Sequence, residues 1–329
     1  MVKIYTLADK RPDFIEMQIK SIRKYLTGDY EYIVIDNAID SPFRSKVIKE
    51  ICSDLNVKYV KITLEDDLNN LSDGKKCYSG NAYVTPNTAH LYPMMWIFKK
   101  LIQDKETSFV IDSDMFFLSK IDISELSKSD LLYMPQYRGS FEYIAPSLLV
   151  LNTEGVDNFR DIDWDFVHTS NGATDVGGKT NDFLQRNSNI RKEYFEQYSI
   201  YDVVYNGEYA KIHLILNGNS NYEIIENFTE NKLISIKNIG TNNIGTNRTF
   251  THEEPSDDYH TTLYNGYLKI KNMLDFNIVN PIHTGFIRKV GHDDFIILHY
   301  QTGSNYANFS TDDYNLRKTS LVRNIINID

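Results

Sequence analysis

The stretch "SFVIDSDMFFLSK", residues 108–120, has the apolar pattern of a buried β-strand, yet it carries two carboxylates, Asp112 and Asp114. Burying a carboxylate costs several kcal/mol unless a charged or hydrogen-bonding partner compensates for the lost water. The two carboxylates are therefore expected to have partners, or to stand where the strand ends, over a site.

The residues before this stretch alternate between short apolar segments and segments with apolar residues at helical spacing. They predict strands at 2–8, 31–38 and 57–62, and helices at 14–26, 41–55 and 87–103, the last kinked at Pro93. This alternation predicts right-handed βαβ units in an α/β fold with a mostly parallel sheet flanked by helices. Ligands of such sheets bind outside the carboxyl ends of the strands, where Asp112 and Asp114 fall.

The second half of the chain has a different character. A strand pair is predicted at 130–138 and 145–154, a helix at 155–167, and a Gly-Gly turn with an amphipathic helix at 174–187. Residues 205–290, which contain many Asn, Gly and Thr, predict β-rich or irregular structure. Since no linker-like segment interrupts the chain, we predict one continuous domain with an elaborated C-terminal half.

Composition narrows the classes of function. The formal net charge of −10 argues against a nucleic-acid partner, because phosphate backbones are bound by basic surfaces. Two cysteines, Cys52 and Cys77, are too few for a disulfide framework or a zinc site. The N-terminus lacks the pattern of a signal peptide, and no apolar run approaches the roughly 18 residues of a membrane span. These features predict a cytoplasmic protein without a transmembrane segment.

An Asp-x-Asp pair at a strand end suits a hard divalent cation. Mg²⁺ and Mn²⁺ are typically held by one or two carboxylates together with substrate phosphates. Asp-x-Asp alone is a weak signal, since "DID" at 161–163 also matches it. The apolar flanks at 109–111 and 115–118 distinguish the pair at 112–114.

At this point the chain resembles the metal-dependent GT-A nucleotide-sugar glycosyltransferases, because "IDSD" within "FVIDSDMFF" matches their DxD motif. It is similar to the branch of glycogenin and the lipopolysaccharide galactosyltransferases, and to related bacterial and large-virus glycosyltransferases. The resemblance covers about residues 2–185 and the segment around 299. It implies a Rossmann-like GT-A fold in one catalytic domain, 1–329, with a nucleotide-binding half at 1–120 and an acceptor-binding half at 121–329.

The resemblance also implies a Mn²⁺ or Mg²⁺ site formed by Asp112, Asp114 and a C-terminal histidine. "FIILHYQTGSNY", residues 295–306, supplies His299 at the end of an apolar strand-like run. The alternative is a hydrogen-bonded core histidine. The following turn can present backbone N–H groups to a diphosphate, through Gly303, Ser304 and Asn305. The tail lacks the lysine of the family's "HxxGxxKPW" pattern, which leaves subfamily and stereochemical outcome open.

Other donor-binding residues are predicted at the ends of the early strands. They are Thr6, Leu7, Ala8, Arg11, Asp36, Asp112 and Ser113. Asp36 would accept from the base or ribose, or else close a strand-end turn. Arg11 and Lys179 are candidates to compensate phosphate charge, with an ordinary surface position as the alternative. Candidates for the donor pocket are Asn81 and His90, and candidates for stacking on the acceptor are Tyr137, Tyr143 and Trp164.

Asp175 is the candidate catalytic residue. In the family an acidic residue between the DxD motif and the terminal histidine binds the donor sugar or acts near the anomeric carbon. Asp175 precedes Gly177-Gly178, and glycines allow a sugar to approach the backbone. The alternative is a helix N-cap or turn residue. Asp182 is its rival, about two turns into the following helix.

The predicted activity is transfer of a sugar from a nucleoside diphosphate sugar, a UDP-sugar in preference to a GDP-sugar. The acceptor would be a glycan, a glycolipid or a protein-linked glycan. Two rivals remain. One is a phosphohydrolase of the haloacid-dehalogenase type, whose Asp-x-Asp lies near the N-terminus and is followed by Thr or Val. The other is a non-catalytic carbohydrate-binding protein, which would release no free nucleotide.

Overall fold

The structure is a computed structural model that describes residues 1–9, 11–38, 41–62, 86–205, 207–217, 220–227, 234–238, 248–250, 258–273, 284–301 and 313–328. The strands are β1 Val2–Ala8, β2 Leu26–Thr27, β3 Tyr30–Asp36, β4 Lys58–Lys61, β5 Thr107–Asp112, β6 Met115–Phe117, β7 Ile121–Asp122, β8 Leu131–Arg138, β9 Phe141–Asn152, β10 His168–Thr169, β11 Gly172–Ala173, β12 Lys192–Tyr205, β13 Tyr209–Leu216, β14 Ser220–Asn227, β15 Ile234–Asn238, β16 Arg248–Phe250, β17 Thr284–Lys289 and β18 Ile297–His299. The helices are α1 Pro12–Tyr25, α2 Pro42–Asp54, α3 Pro86–Trp96, α4 Ile123–Leu126, α5 Thr180–Arg186, α6 Asp258–Met273 and α7 Asp313–Ile326. A π-helical turn, Ile97–Leu101, continues α3, and a 3-10 turn spans Phe159–Asp161.

The first part of the sheet is parallel and confirms the predicted α/β class. β1 lies between β3 and β5, and β4 extends the sheet beyond β3, with all three pairs parallel. Proline begins both α1 and α2, and the Ser41 hydroxyl caps α2 by accepting from the Arg44 N–H at 3.3 Å. These local signals place helices between the strands, as the alternating pattern predicts.

The rest of the sheet is largely antiparallel and explains the elaborated C-terminal half. β9 pairs antiparallel with β5 and β8, and β12 joins β8 in parallel before running antiparallel to β13. β14, β15 and β16 continue this side of the sheet. A separate branch runs from β12 through β17 and β18 to β6, which brings the end of the chain beside the 112–117 segment.

Among the described residues, three apolar clusters hold the layers together. One lies between the parallel strands and the faces of α1 and α2, and the second lies on the other face of the sheet, under α3. The third joins the C-terminal strands to α6 and α7. Phe14 and Met17 of α1 belong to this third cluster, so α1 packs against both halves of the chain.

The helix predicted over residues 155–167 is wrong, since only Phe159–Asp161 forms a 3-10 turn there. Asn158 adopts a left-handed conformation with φ of 57°, which interrupts a helix at that point. Asp163 Oδ1 accepts from the Asp165 N–H at 3.0 Å, a local bond that competes with helical hydrogen bonding.

The prediction of β-rich structure between 205 and 290 is confirmed by β13 to β16, but it missed the helix α6. Its buried residues Leu263, Tyr267 and Ile270 have helical spacing, which was the available signal. Gly266 obscures this helical spacing in the sequence. The close packing of α6 explains why a glycine is present at this position. A Cβ at Gly266 would lie 2.6 Å from the Tyr198 ring.

Cys52 is buried and unpaired, whereas Cys77 lies outside the described residues. None of the helices in the described ranges combines the length and hydrophobicity needed to cross a membrane.

Candidate functional site

The strands β1, β3 and β5 end together at one edge of the sheet. In the β-sheet register, Leu7 lies beside Asp112 and Ala8 lies beside Asp36. These residues therefore stand at the carboxyl edge, where open α/β sheets bind ligands. Thr6 is one residue further inside and fully buried, so its side chain faces protein.

The backbone around Asp112 and Asp114 is held by side chains of α1. Gln18 is fully buried, and its Nε2 donates to the carbonyls of Asp112 at 2.7 Å and Met115 at 2.8 Å. The Tyr32 hydroxyl donates to Gln18 Oε1, which fixes the orientation of that amide. This polar contact stabilises the turn between β5 and β6. Gln18 was not predicted, because its partners lie far away in sequence.

His299 lies beside Asp114 because β18 pairs with β6. In that register His299 is opposite Met115, and the Tyr300 N–H donates to the Asp114 carbonyl at 2.8 Å. His299 Nε2 is 3.5 Å from Asp114 Oδ1, with both side chains largely buried. The structure therefore brings together two of the three predicted metal ligands, while Asp112 and Ser113 are half-buried next to them.

The Asp114–His299 pair fits part of a divalent-cation site. Two ligands about 2.1 Å from an octahedral cation are about 3 Å apart, close to the observed separation. Within the described ranges, no group of three or more His, Cys, Asp or Glu side chains is placed to hold a metal. Mg²⁺ keeps several waters and uses substrate phosphates, so a pair of protein ligands suits such a cation better than a closed cage would.

A lysine from α7 lies next to this pair. Lys318 is 4% exposed, its Nζ donates to the Gln301 carbonyl at 3.2 Å, and it lies 4.1 Å from the centre of the Tyr300 ring. Burial lowers the pKa of Lys318 to about 7, although the Asp114 carboxylate acts in the opposite direction. One lysine in an amphipathic C-terminal helix carries no signal in the sequence, so Lys318 was not predicted.

Arg11 sits at the start of α1, close to the same ring. Its guanidinium makes two bonds to Asp13, at 2.8 and 2.6 Å, and its Cζ lies 5.8 Å from the centre of the Tyr300 ring. Arg11 Nη2 also donates to Thr319 Oγ1 at 3.3 Å. Arg11 therefore helps to dock α7 in the conformation described, and a contact with phosphate stays a prediction.

The Asp36 carboxylate is buried and bonded to protein groups at both oxygens. Oδ1 accepts from the Ala38 N–H at 2.8 Å, while Oδ2 accepts from the Tyr59 hydroxyl at 2.6 Å and from the Ser45 hydroxyl. Burial, and then this bond to Asp36, raise the pKa of Tyr59 to about 12. This geometry matches the strand-end turn that the sequence offered as the alternative to ribose binding.

Asp175 stands on a turn at the same edge of the sheet. β9 runs antiparallel to β5, with Leu148 opposite Ile111, so residues 144–146 continue past the carboxyl end of β5. Gly177 packs closely against this part of β9. Its φ is +99°, and a Cβ at this position would lie 2.3 Å from the Ile144 carbonyl oxygen, so the position requires glycine. Asp175 is exposed, and its Oδ1 accepts from the Val176 N–H at 2.9 Å.

The N-cap alternative for Asp175 is wrong, because α5 begins at Thr180 with Lys179 at its N-cap position. The turn alternative remains. Asp182 lies in the first turn of α5, not two turns into it, and is exposed. Lys179 forms ion pairs with Asp163 at 3.2 Å and Asp165 at 3.0 Å, which join this turn to the preceding loop.

Two of the proposed stacking residues are buried, so that prediction is wrong for them. Trp164 has no exposed surface and packs against Phe98 at 4.9 Å between ring centres. Tyr143 is 2% exposed, and its hydroxyl accepts from the Asp175 N–H at 3.3 Å. Tyr137 is half-buried. Phe166, in the loop that also contains Trp164, is 42% exposed.

Some predicted positions lie outside the described residues. These are Asn81, Gly303, Ser304 and Asn305, and the side chain of His90 is likewise not described.

Solved glycosyltransferase structures align with part of this chain. The galactosyltransferase LgtC, solved with donor and acceptor sugar analogues, aligns at a TM-score of 0.32 and 13% identity, over 46% of this chain and 58% of LgtC. The glycosyltransferase GlyE of Streptococcus pneumoniae aligns at a TM-score of 0.34 and 12% identity, over 58% of this chain and 44% of GlyE. No protein-family model and no curated protein sequence matches the chain.

Proposed function

We propose that this chain transfers a sugar from a nucleoside diphosphate sugar to a hydroxyl acceptor, and that Asp112, Asp114 and His299 serve a Mn²⁺ or Mg²⁺ ion. The observation that carries the proposal is the Asp114–His299 pair, with Oδ1 and Nε2 3.5 Å apart at the carboxyl edge of the parallel strands. The type of reaction is taken from the resemblance of "FVIDSDMFF" to a DxD motif.

The residues of the site have distinct roles in this proposal. Asp114 and His299 would hold the cation, and Asp112 would contact it directly or through water. When bound, the cation supplies a Lewis acid that neutralises charge developing on the departing diphosphate. Gln18 keeps the turn between β5 and β6 in place through its two backbone contacts. Asp175 would act on the transferred sugar or the acceptor hydroxyl.

The finer assignments follow the resemblance alone. A UDP-sugar is the favoured donor and a GDP-sugar the second choice, with a glycan, glycolipid or protein-linked glycan as acceptor. The cytoplasmic location inferred from composition stays a prediction. The phosphohydrolase rival is not favoured, because its motif lies near the N-terminus with Thr or Val after it. Here the first aspartate of the motif, Asp112, is the last residue of β5, and Met115 and Phe116 follow the motif.

Thermal unfolding with nucleotides tests the donor class. A ligand that binds only the folded state stabilises it by RT ln(1 + [L]/Kd), about 2.7 kcal/mol at a hundredfold excess over Kd. We expect UDP or GDP together with Mn²⁺ to raise Tm more than the sum of the two separate shifts. Asp114→Asn is the matched control and should lose this synergy. Unchanged Tm with every nucleoside diphosphate, with and without Mn²⁺, would contradict the proposal.

A further inference from the structure

The second ring nitrogen of His299 contacts a buried amide. Gln197 of β12 is 8% exposed, and its Oε1 lies 3.1 Å from His299 Nδ1. Its Nε2 donates to Ser199 Oγ at 2.6 Å, and the Gln301 amide donates to the same hydroxyl oxygen at 2.8 Å. With the Gln197 amide nitrogen donating to Ser199, the amide oxygen faces His299 Nδ1 and is placed to accept a hydrogen bond from an Nδ1–H.

A hydrogen bond to the Gln197 oxygen would place the single proton of a neutral imidazole on Nδ1. A neutral ring has one N–H, so a proton on Nδ1 leaves the lone pair on Nε2. Nε2 is the nitrogen that lies 3.5 Å from Asp114 Oδ1. The other tautomer would donate from Nε2 to Asp114 and would have no lone pair there for a cation.

A glycine provides the space for the Gln197 side chain. Gly285 of β17 is paired in register with His299 of β18. A Cβ at Gly285 would lie 2.9 Å from Gln197 Cδ and 3.1 Å from Gln197 Nε2, closer than side-chain atoms normally approach. The side chain of Gln197 would have to move away from its present position if this residue were larger.

We propose that Gln197 is a positioning residue that keeps His299 in the Nδ1–H tautomer, with Nε2 ready to bind a divalent cation beside Asp114. The metal-binding part of this inference rests on the proposed function, whereas the assignment of the tautomer does not. Partners that hold the second nitrogen of a metal-binding histidine typically change metal affinity 10–100-fold when they are removed.

Two measurements on the full chain test this proposal. Side-chain ¹⁵N NMR of the metal-free protein reports which ring nitrogen carries the proton, with His299→Ala identifying the signals. Calorimetric titration with Mn²⁺ reports affinity. We expect Gln197→Met to move His299 towards the Nε2–H tautomer and to weaken Mn²⁺ binding about 10–100-fold. Gln197→Glu keeps an acceptor oxygen and should restore the Nδ1–H tautomer and most of the affinity.

Gly285→Ala provides an independent variant that leaves Gln197 in the sequence. Its added Cβ should displace Gln197 and reproduce both effects of Gln197→Met, so the proposal stays testable if Gln197→Met does not fold. Retention of the Nδ1–H tautomer in the folded variants, or wild-type Mn²⁺ affinity after a change of tautomer, would overturn the proposal. Failure of the wild-type chain to bind Mn²⁺ would instead contradict the proposed cation site, while the NMR result would still decide the role of Gln197 in the tautomer.

Discussion

At the scale of single residues, Asp114 and His299 are predicted to act as one unit. Asp114→Asn removes the charge but keeps the shape and the backbone contact from Tyr300 at 2.8 Å. We expect at least about a tenfold loss of Mn²⁺ affinity. The stability of the metal-free chain should not change, because the Asn amide can donate to His299 Nε2. His299→Ala should weaken Mn²⁺ and nucleotide binding together. Unchanged Mn²⁺ affinity in His299→Ala, measured by calorimetry, would make His299 a core residue.

Asp175 is predicted to affect turnover without affecting binding. Its carboxylate is exposed on the turn before Gly177 and does not cap α5. Asp175→Asn should leave Mn²⁺ and nucleoside diphosphate affinity nearly unchanged and lower the transfer rate by about a hundredfold or more, the scale of a general base. Binding is measured by calorimetry and transfer by initial rates. Near-normal turnover would leave Asp175 as a turn residue only.

The residues of the site differ in how visible they are in the sequence. Asp112, Asp114 and His299 follow apolar strands, and this local pattern is enough to single them out. Gln18, Gln197 and Lys318 contact the site only through pairings between distant segments, which local periodicity does not reveal. Trp164 was misassigned because an aromatic side chain among polar residues has the same local pattern whether it packs inward or outward.

At the scale of elements, the loop at 155–167 is predicted to be anchored by Trp164. This side chain has no exposed surface and lies against Phe98 of the turn that continues α3. Trp164→Ala should lower the free energy of unfolding by about 3–5 kcal/mol, through lost burial and a cavity. The exposed Phe166 is the matched control, and Phe166→Ala should change stability by about 0.5 kcal/mol or less. Equal effects of the two substitutions in urea unfolding would contradict the burial of Trp164.

The docking of α7 gives a prediction about pH. The pKa of Lys318 is about 7 in the folded chain, below the value of about 10.4 for an unfolded lysine. Between these values the unfolded state binds more protons, so this residue makes the folded state more stable as pH rises, by at most about 1.4 kcal/mol per pH unit. In the metal-free chain, any stability advantage of Lys318→Met over wild type should therefore shrink between pH 7 and pH 10.

Urea unfolding of both proteins across this pH range provides the measurement. A constant difference in the free energy of unfolding between pH 7 and pH 10 would show that Lys318 is protonated equally in both states. The comparison with Lys318→Met removes contributions of the buried tyrosines, because these are shared by the two proteins.

Elements with strong local patterns were predicted well, and those shaped by distant contacts were not. α1 and α2 combine an apolar face with a proline start, so their existence follows from sequence. The predicted helix at 155–167 failed because a left-handed Asn158 and local aspartate bonds determine the backbone there. α6 was missed because Gly266, which the Tyr198 ring requires, weakens a helical pattern.

At the scale of the whole molecule, the site depends on both parts of the sheet. The parallel strands β1, β3 and β5 end at one edge of the sheet, which places Asp112 beside the end of β1. The alternating sequence pattern predicts this arrangement. The antiparallel branch through β17 and β18 then brings His299 to Asp114. That pairing has no local signature, which explains why the elements up to residue 187 were predicted one by one and residues 205–290 only as β-rich or irregular.

Release of nucleotide from nucleotide sugars tests the proposed activity most directly. A panel of UDP-sugars and GDP-sugars is incubated with the chain, with Mn²⁺ or with a chelator, and free UDP or GDP is measured with Asp114→Asn as the control. We predict Mn²⁺-dependent release from at least one donor, lost on chelation and in Asp114→Asn, because the departing diphosphate needs its charge neutralised. Release at the same rate with the chelator or in Asp114→Asn would contradict the cation site. Stabilisation by a nucleotide sugar without any release of nucleotide would indicate a carbohydrate-binding protein instead of a transferase.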